Sequence, residues 1–142
     1  MKQNKLSLWV HLVWGVKKRE FLITDELQPA LFYKMDEIAN SKGYDIVEKN
    51  TMPDHVHLLV RLNPTHSISD MMKNIKGSTA HWINQQGLAD TKFEWQDGYG
   101  AFTVSSFMVK KVISYIQNQQ QHHADKSFES EMKYLEILGQ DV

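Results

Sequence analysis

Two histidines one residue apart, His55-Val56-His57, and a tyrosine and glutamine four positions apart, Tyr115 and Gln119, are the side chains whose types and spacing could do chemistry. His55 to Leu62 is dense in β-forming residues and short enough for a core strand. On a strand, residues i and i+2 face the same way, with Cα atoms roughly 6.8 Å apart. Both imidazoles therefore leave one sheet face, while Val56 and Leu58 leave the other. Such a pair can hold a divalent ion if a third ligand comes from elsewhere; it can also simply cover a sheet. Tyr115 and Gln119 stand one turn apart on a helical face. The Gln119 amide oxygen is a hard ligand suited to Mg²⁺ or Mn²⁺. Tyr115 offers the phenolic oxygen that could form a covalent phosphate ester. An ordinary tyrosine pKa lies near ~10, so a base or a cation must help it ionise. The plainer alternative packs Tyr115 beside Val112 and Ile116 and assigns Gln119 to the polar run 117–121.

The elements that must position these groups follow from hydrophobic periodicity. Leu6, Leu8, Val10, Leu12 and Trp14 recur at every second residue, which predicts a strand with one buried face. Asp25-Glu26 open a helix carrying Leu27, Ala30, Leu31, Met35, Ile38 and Ala39, stopped by Gly43. Tyr44 to Met52 and His55 to Leu62 predict two more strands. Ser67 or Ser69 caps a second helix that Gly87 closes. Tyr99 to Val104 reads as a fourth strand. Ser105 or Ser106 then caps a long third helix with Val109, Val112, Ile113 and Ile116 as its apolar stripe, and a short helix near Phe128 to Leu138 ends the chain. The order β-α-β-β-α-β-α predicts an α+β, ferredoxin-like split βαβ fold. It has a four-stranded antiparallel sheet with helices on one face and an appended helix, as a single domain over residues 1–142.

Composition narrows the chemistry. The chain has 142 residues, of which 42% are hydrophobic and 11% aromatic, as in a folded protein. It contains no cysteine, which removes disulfides, thiolate zinc sites and cysteine nucleophiles. No apolar run approaches the ~18 residues that span a bilayer, and no signal-peptide core follows Lys2 and Lys5, so a cytoplasmic location without membrane contact is expected. The net charge of −1 is unevenly spread. Residues 1–19 hold five bases and no acid, 20–54 three bases and eight acids, and 71–89 and 98–124 no acid at all. Phosphate contacts need local positive potential rather than a basic whole.

Three blocks in order carry a resemblance. Met52-Pro53-Asp54-His55-Val56-His57-Leu58-Leu59-Val60 resembles the HUH motif (His, hydrophobic, His) of single-tyrosine transposases encoded by small insertion sequences, the TnpA-like family. Trp95-Gln96-Asp97-Gly98-Tyr99-Gly100-Ala101-Phe102-Thr103-Val104-Ser105 resembles that family's tract before its catalytic helix. Val112-Ile113-Ser114-Tyr115-Ile116-Gln117-Asn118-Gln119, followed by His122-His123, resembles the helix itself, and Trp9-Val10-His11-Leu12-Val13-Trp14 has the family's opening character. The resemblance implies that His55, His57 and Gln119 bind a divalent metal, Mg²⁺ or Mn²⁺. It implies that Tyr115 attacks the scissile phosphate of single-stranded DNA, leaving a 5′-phosphotyrosine and a free 3′-hydroxyl. It further implies recognition of imperfect hairpins at the element's ends, no nucleotide cofactor, and a homodimer with composite sites in which Gly98 and Gly100 would give the exchange a hinge.

Arg19, Lys17, Lys18, Lys73 and Lys76 are the candidate DNA-binding residues, with Lys110 and Lys111 as further bases that could neutralise phosphates. Trp82, Trp95 and Tyr99 could stack on bases, although core packing is the simpler expectation for all three. His11, His66 and His81 have no partner at ligand spacing and are expected to be structural. Three other readings remain. One is a domesticated relative that nicks or binds hairpin DNA. Another is a non-catalytic module of the RNA-recognition type, which would expose aromatics on its central strands. The last is a metal-dependent hydrolase that uses water and leaves Tyr115 idle.

Overall fold

In the computed structural model, which describes residues 4–122 and 127–140, the strands are β1 (Trp9–Gly15), β2 (Asp45–Met52), β3 (His55–Arg61) and β4 (Gly100–Val104). They form one antiparallel sheet in the order β2-β3-β1-β4. The helices are α1 (Leu27–Lys42), α2 (Ile68–Gln86), α3 (Val109–Gln117), α4 (Gln119–His122) and α5 (Phe128–Gln140). The expected split βαβ order and sheet are present. Ser67 caps α2 by accepting from the Asp70 amide at 3.0 Å, and Gly43 and Gly87 end α1 and α2 in the left-handed region at φ 75° and 64°.

Four local expectations are corrected. The strand expected from Leu6 starts at Trp9, and Leu6 and Leu8 are exposed. Its residues Val10 to Gly15 are all buried, not alternately so, because helices cover both sheet faces. Val10, Leu12, Trp14, Val56, Leu58 and Val60 pack with α1 and α2. On the opposite face, Leu59 and Val104 meet Ile116 of α3, and Val13 meets Phe128 and Leu135 of α5. Neither Ser105 nor Ser106 caps α3 through its side chain; a 3₁₀ turn over 106–108 comes first, with the Met108 amide donating to Ser105 O. The long third helix is also broken at Asn118, whose side-chain amide and backbone N–H both donate to Ser114 O. An asparagine side chain offers the backbone a local alternative to the helical ladder. The helix end expected near His123 lies outside the described residues.

Position along β2 fixes α3 over the sheet. Asn50 Nδ2 donates to Ile116 O at 2.7 Å, and Gln117 Nε2 donates to Glu48 Oε2 at 3.0 Å. Helix α5 approaches the other end through Gly100: a Cβ there would collide with Met132 of α5 and the Phe102 ring. Gly100 thus serves a close approach. Gly98 is the one of the pair that takes a left-handed backbone, at φ 86°.

Candidate active site

Because paired residues of an antiparallel sheet share a face, His57 and His55 lie on the same side as their β1 partners Val13 and Gly15, and as His11 two residues earlier. This is the α3/α5 side. The His55 and His57 ring centroids are 5.0 Å apart, and both side chains are closed from solvent, at 1% and 0% exposure.

The carboxylate of Glu131, itself 3% exposed, bridges the two rings. Its Oε2 is 3.2 Å from His55 Nε2 and its Oε1 2.9 Å from His57 Nε2. Ligand atoms of His55, His57 and Glu131 all lie within 4.8 Å of one another. Two imidazoles and a carboxylate at this spacing fit a divalent cation, since each offers a donor suited to a hard or borderline ion. Burial also favours a cation there, because a buried carboxylate needs positive charge beside it. His55 reflects the same field: burial alone would lower its pKa, yet hydrogen bonds to Asp54 and Glu131 and their charges leave it raised.

Tyr115 closes the cluster from α3, donating its hydroxyl proton to Glu131 Oε1 at 2.5 Å. Its ring lies 6.0 Å from that of His57. Burial, then the Glu131 hydrogen bond and charge, push its pKa well above that of a free phenol, against a lowering hydrogen bond from Gln119. Gln119, at the start of α4, is fully buried; its Nε2 donates to Tyr115 O at 3.2 Å, while its Oε1 accepts no hydrogen bond among the described residues. His55, His57, Tyr115 and Gln119 are thus gathered in one place, within a single chain.

Glu131 is absent from the sequence-based candidates, and His11, structural by that reading, touches the site. Glu131 carried a signal: on α5 it falls three residues after Phe128 and four before Leu135, inside the apolar stripe, where a lone acid is expensive unless it has a partner. His11 has a partner after all, its Nε2 lying 2.8 Å from His57 Nδ1. Burial, followed by the charge of His57, drops its pKa to about 3 against the opposing pull of Glu131. His66 packs edge-on against Tyr44 and His81 is exposed. His123 lies outside the described residues.

The basic candidates are dispersed. Lys17 pairs with Glu94 at 2.8 Å. Lys76 donates to the carbonyls of Gln96 and Gly98 at 2.8 and 2.9 Å. Both line a groove of ≈ 760 Å³ with Lys92, Asn84 and Trp95. Lys18 and Arg19 adopt left-handed backbone at φ 59° and 56°, which costs roughly 1–2 kcal/mol per residue. Lys18 is exposed, whereas Arg19 holds α5, with Nε 2.9 Å from Glu129 and its guanidinium 3.8 Å above the Phe128 ring. Lys73 stands apart beside Lys42 and His66. Trp95 is core, Trp82 is half-buried, and Tyr99 is 43% exposed, unlike the core position expected for it.

The profile of the family described as "Transposase IS200 like" matches residues 4–119. The chain belongs to the IS200-like transposase family. This IS200-like transposase is similar to the ISDra2 transposase TnpA of Deinococcus radiodurans, at 31% identity over 118 residues covering 80% of this chain and 84% of that one. It is similar to the transposase for insertion sequence element IS200 of Salmonella typhimurium, at 28% identity covering 77% of this chain and 74% of that one. A crystal structure of a transposase from Deinococcus radiodurans R1 superposes with a TM-score of 0.64 at 30% identity, covering 84% of this chain and 98% of the other. The fold also matches a REP-associated tyrosine transposase bound to a REP hairpin, with TM-score 0.66, 15% identity and coverages of 87% and 75%. Among the described residues, no helix of the IS200-like transposase is long and apolar enough to cross a membrane.

Proposed function

We propose that this IS200-like transposase cuts and rejoins single-stranded DNA at insertion-sequence ends through a 5′-phosphotyrosine on Tyr115. The observation that carries the reading is the Tyr115 hydroxyl bonded to the carboxylate that spans His55 and His57. In the closed chain His55, His57 and Glu131 would hold Mg²⁺ or Mn²⁺; with α5 withdrawn for DNA, His55, His57 and the Gln119 amide oxygen would hold it. Bound there, the ion would supply Lewis-acid polarisation of the scissile phosphate, and withdrawal of Glu131 with α5 would remove a charge that keeps the phenol neutral. With α5 withdrawn, the Tyr115 oxygen attacks phosphorus as its proton passes to water. The bond from phosphorus to the 3′-oxygen breaks, and that oxygen leaves as a hydroxyl after taking a proton from water. Rejoining is the reverse, with a 3′-hydroxyl attacking the phosphotyrosine; the ester conserves the bond energy, so no nucleotide cofactor is required.

For partners we propose hairpin DNA bound along the Lys17/Lys76 groove, with Lys18 and Lys73 adding phosphate contacts and Arg19 freed for them when α5 withdraws. A protein of the same fold is bound to a hairpin. A homodimer fits the exposed Phe107, 94% accessible, and Met108 at the head of α3. A module of the RNA-recognition type would need exposed aromatics on the central strands, whereas β1 and β3 are covered on both faces.

The site as folded is shut. Phe128, Glu131 and Leu135 of α5 lie over it, and His55, His57 and Glu131 have no solvent access to speak of. A phosphodiester reaches these groups only when α5 withdraws. Amide hydrogen exchange in α5 should therefore speed up when single-stranded DNA spanning the cleavage site is added with Mn²⁺. Slower exchange there would contradict displacement. The proposed activity is tested by incubating labelled oligonucleotides carrying element ends with the protein. A covalent protein–DNA band that forms with Mn²⁺ and vanishes with chelator supports it; free nicked DNA with no covalent band would favour water as the nucleophile.

A further inference from the structure

We propose that His11 and Asp54 are positioning residues that hold His57 and His55 in the tautomer presenting Nε2 to the metal position. The inference rests on the metal site described above and concerns residues outside its ligand set. An imidazole that ligates through Nε2 must carry its proton on Nδ1, and that proton needs an acceptor. Both histidines have one, from unrelated parts of the fold. His55 Nδ1 is 2.7 Å from Asp54 Oδ1. An ionised carboxylate can only accept, so this contact places the proton on Nδ1. His57 Nδ1 is 2.8 Å from His11 Nε2. His11 is a buried imidazole able to accept there when its own proton is on Nδ1.

Topology explains why these two residues can do this. Asp54 is the last residue of the β2–β3 turn, immediately before His55, and its backbone O accepts from the Val16 amide at 2.8 Å, which ties the turn to the end of β1. His11 pairs with Leu59 in the β1–β3 register, one diagonal step from His57 on the same face, within reach of long side chains. The His11 and His57 rings lie 5.1 Å apart and tilted by 32°. Both outer partners hold the Nδ1 edges, so the two Nε2 atoms are left converging on the Glu131 carboxylate at 3.2 and 2.9 Å. A phenylalanine at position 11 would preserve the ring's packing against Phe102 and Tyr115 and remove only the acceptor.

The experiment is calorimetric titration of the full chain with Mn²⁺, together with nitrogen NMR of the imidazoles, which distinguishes the two tautomers. Loss of such outer partners typically weakens metal binding about 10–100-fold, and His11→Phe and Asp54→Ala should do so. Asp54→Asn, which keeps an acceptor oxygen, should fall between Asp54→Ala and the native chain. In the native protein loaded with diamagnetic Mg²⁺ the non-ligating Nδ1 of His55 and His57 should carry the proton. Folded His11→Phe and Asp54→Ala proteins that bind Mn²⁺ as tightly as the native chain would overturn the proposal. A proton on Nε2 of either histidine in the native Mg²⁺-loaded protein would overturn it without any substitution. If the native chain itself binds no Mn²⁺, the metal-site reading fails, and the positioning proposal with it.

Discussion

Replacing Tyr115 by phenylalanine should abolish the covalent DNA adduct and lower strand cleavage by on the order of 10⁴-fold or more, the scale on which loss of a covalent nucleophile acts. The change is nearly isosteric, and the ring keeps its contacts with His11 and His57. What disappears is the hydroxyl bonded to Glu131. That hydroxyl also leaves when the fold is intact, so hairpin binding by Tyr115→Phe should match the native protein. The comparison is a gel assay of cleavage beside a binding titration on the same oligonucleotide. Cleavage that survives within tenfold would assign the chemistry to water and make Tyr115 a packing residue.

The second large effect belongs to His57→Ala. It removes one of two imidazoles and opens a cavity among fully buried groups. With the site weakened, the phenol loses the positive charge that would favour its ionised form, and it stays protonated. Lewis-acid stabilisation of a phosphoryl transition state is worth several kcal/mol, so cleavage at fixed Mn²⁺ should fall by about 10³-fold. Single-turnover cleavage measured across a Mn²⁺ series tests this. Native rates in His57→Ala, or native rates in the native chain under chelator, would remove the metal from the mechanism.

Much of the frame that carries these groups is legible in the sequence, for local reasons. Gly43 and Gly87 stop helices because each takes a left-handed backbone, and Ser67 caps α2 through its own side chain. His55-Val56-His57 puts two imidazoles on one face because a strand alternates, and Val56 and Leu58 duly enter the core on the other side. What escaped the reading depends on contacts between distant segments. The alternation in β1 implies one buried face, but α3 and α5 bury the second, and no property of Trp9 to Gly15 announces that. The break at Asn118 is a competition between side chain and helix, settled by its bonds to Ser114. Arg19, a phosphate-ligand candidate by sequence, also holds α5 through Glu129 and Phe128 in the closed chain.

Glu131 and His11 are instructive for a different reason. Ligand spacing along the chain finds groups that one element supplies, such as two histidines on a strand or a tyrosine and glutamine on a helix. Glu131 comes from a helix beyond Tyr115, and His11 from a strand 46 residues before His57. Glu131 nevertheless interrupts an apolar pattern at a position that must be buried, and His11 lies on the sheet face that α3 and α5 cover. A polar group in such a place is expected to have a partner, and both find theirs at the same two histidines.

The most direct measurement is mass spectrometry of the covalent adduct formed with Mn²⁺ and a single-stranded element end, trimmed by nuclease and digested. The account predicts a residual nucleotide mass on the peptide containing Tyr115 and, on the released strand, a 3′-hydroxyl. Nucleotide mass on any other peptide, or cleaved DNA with no modified peptide at all, would contradict it.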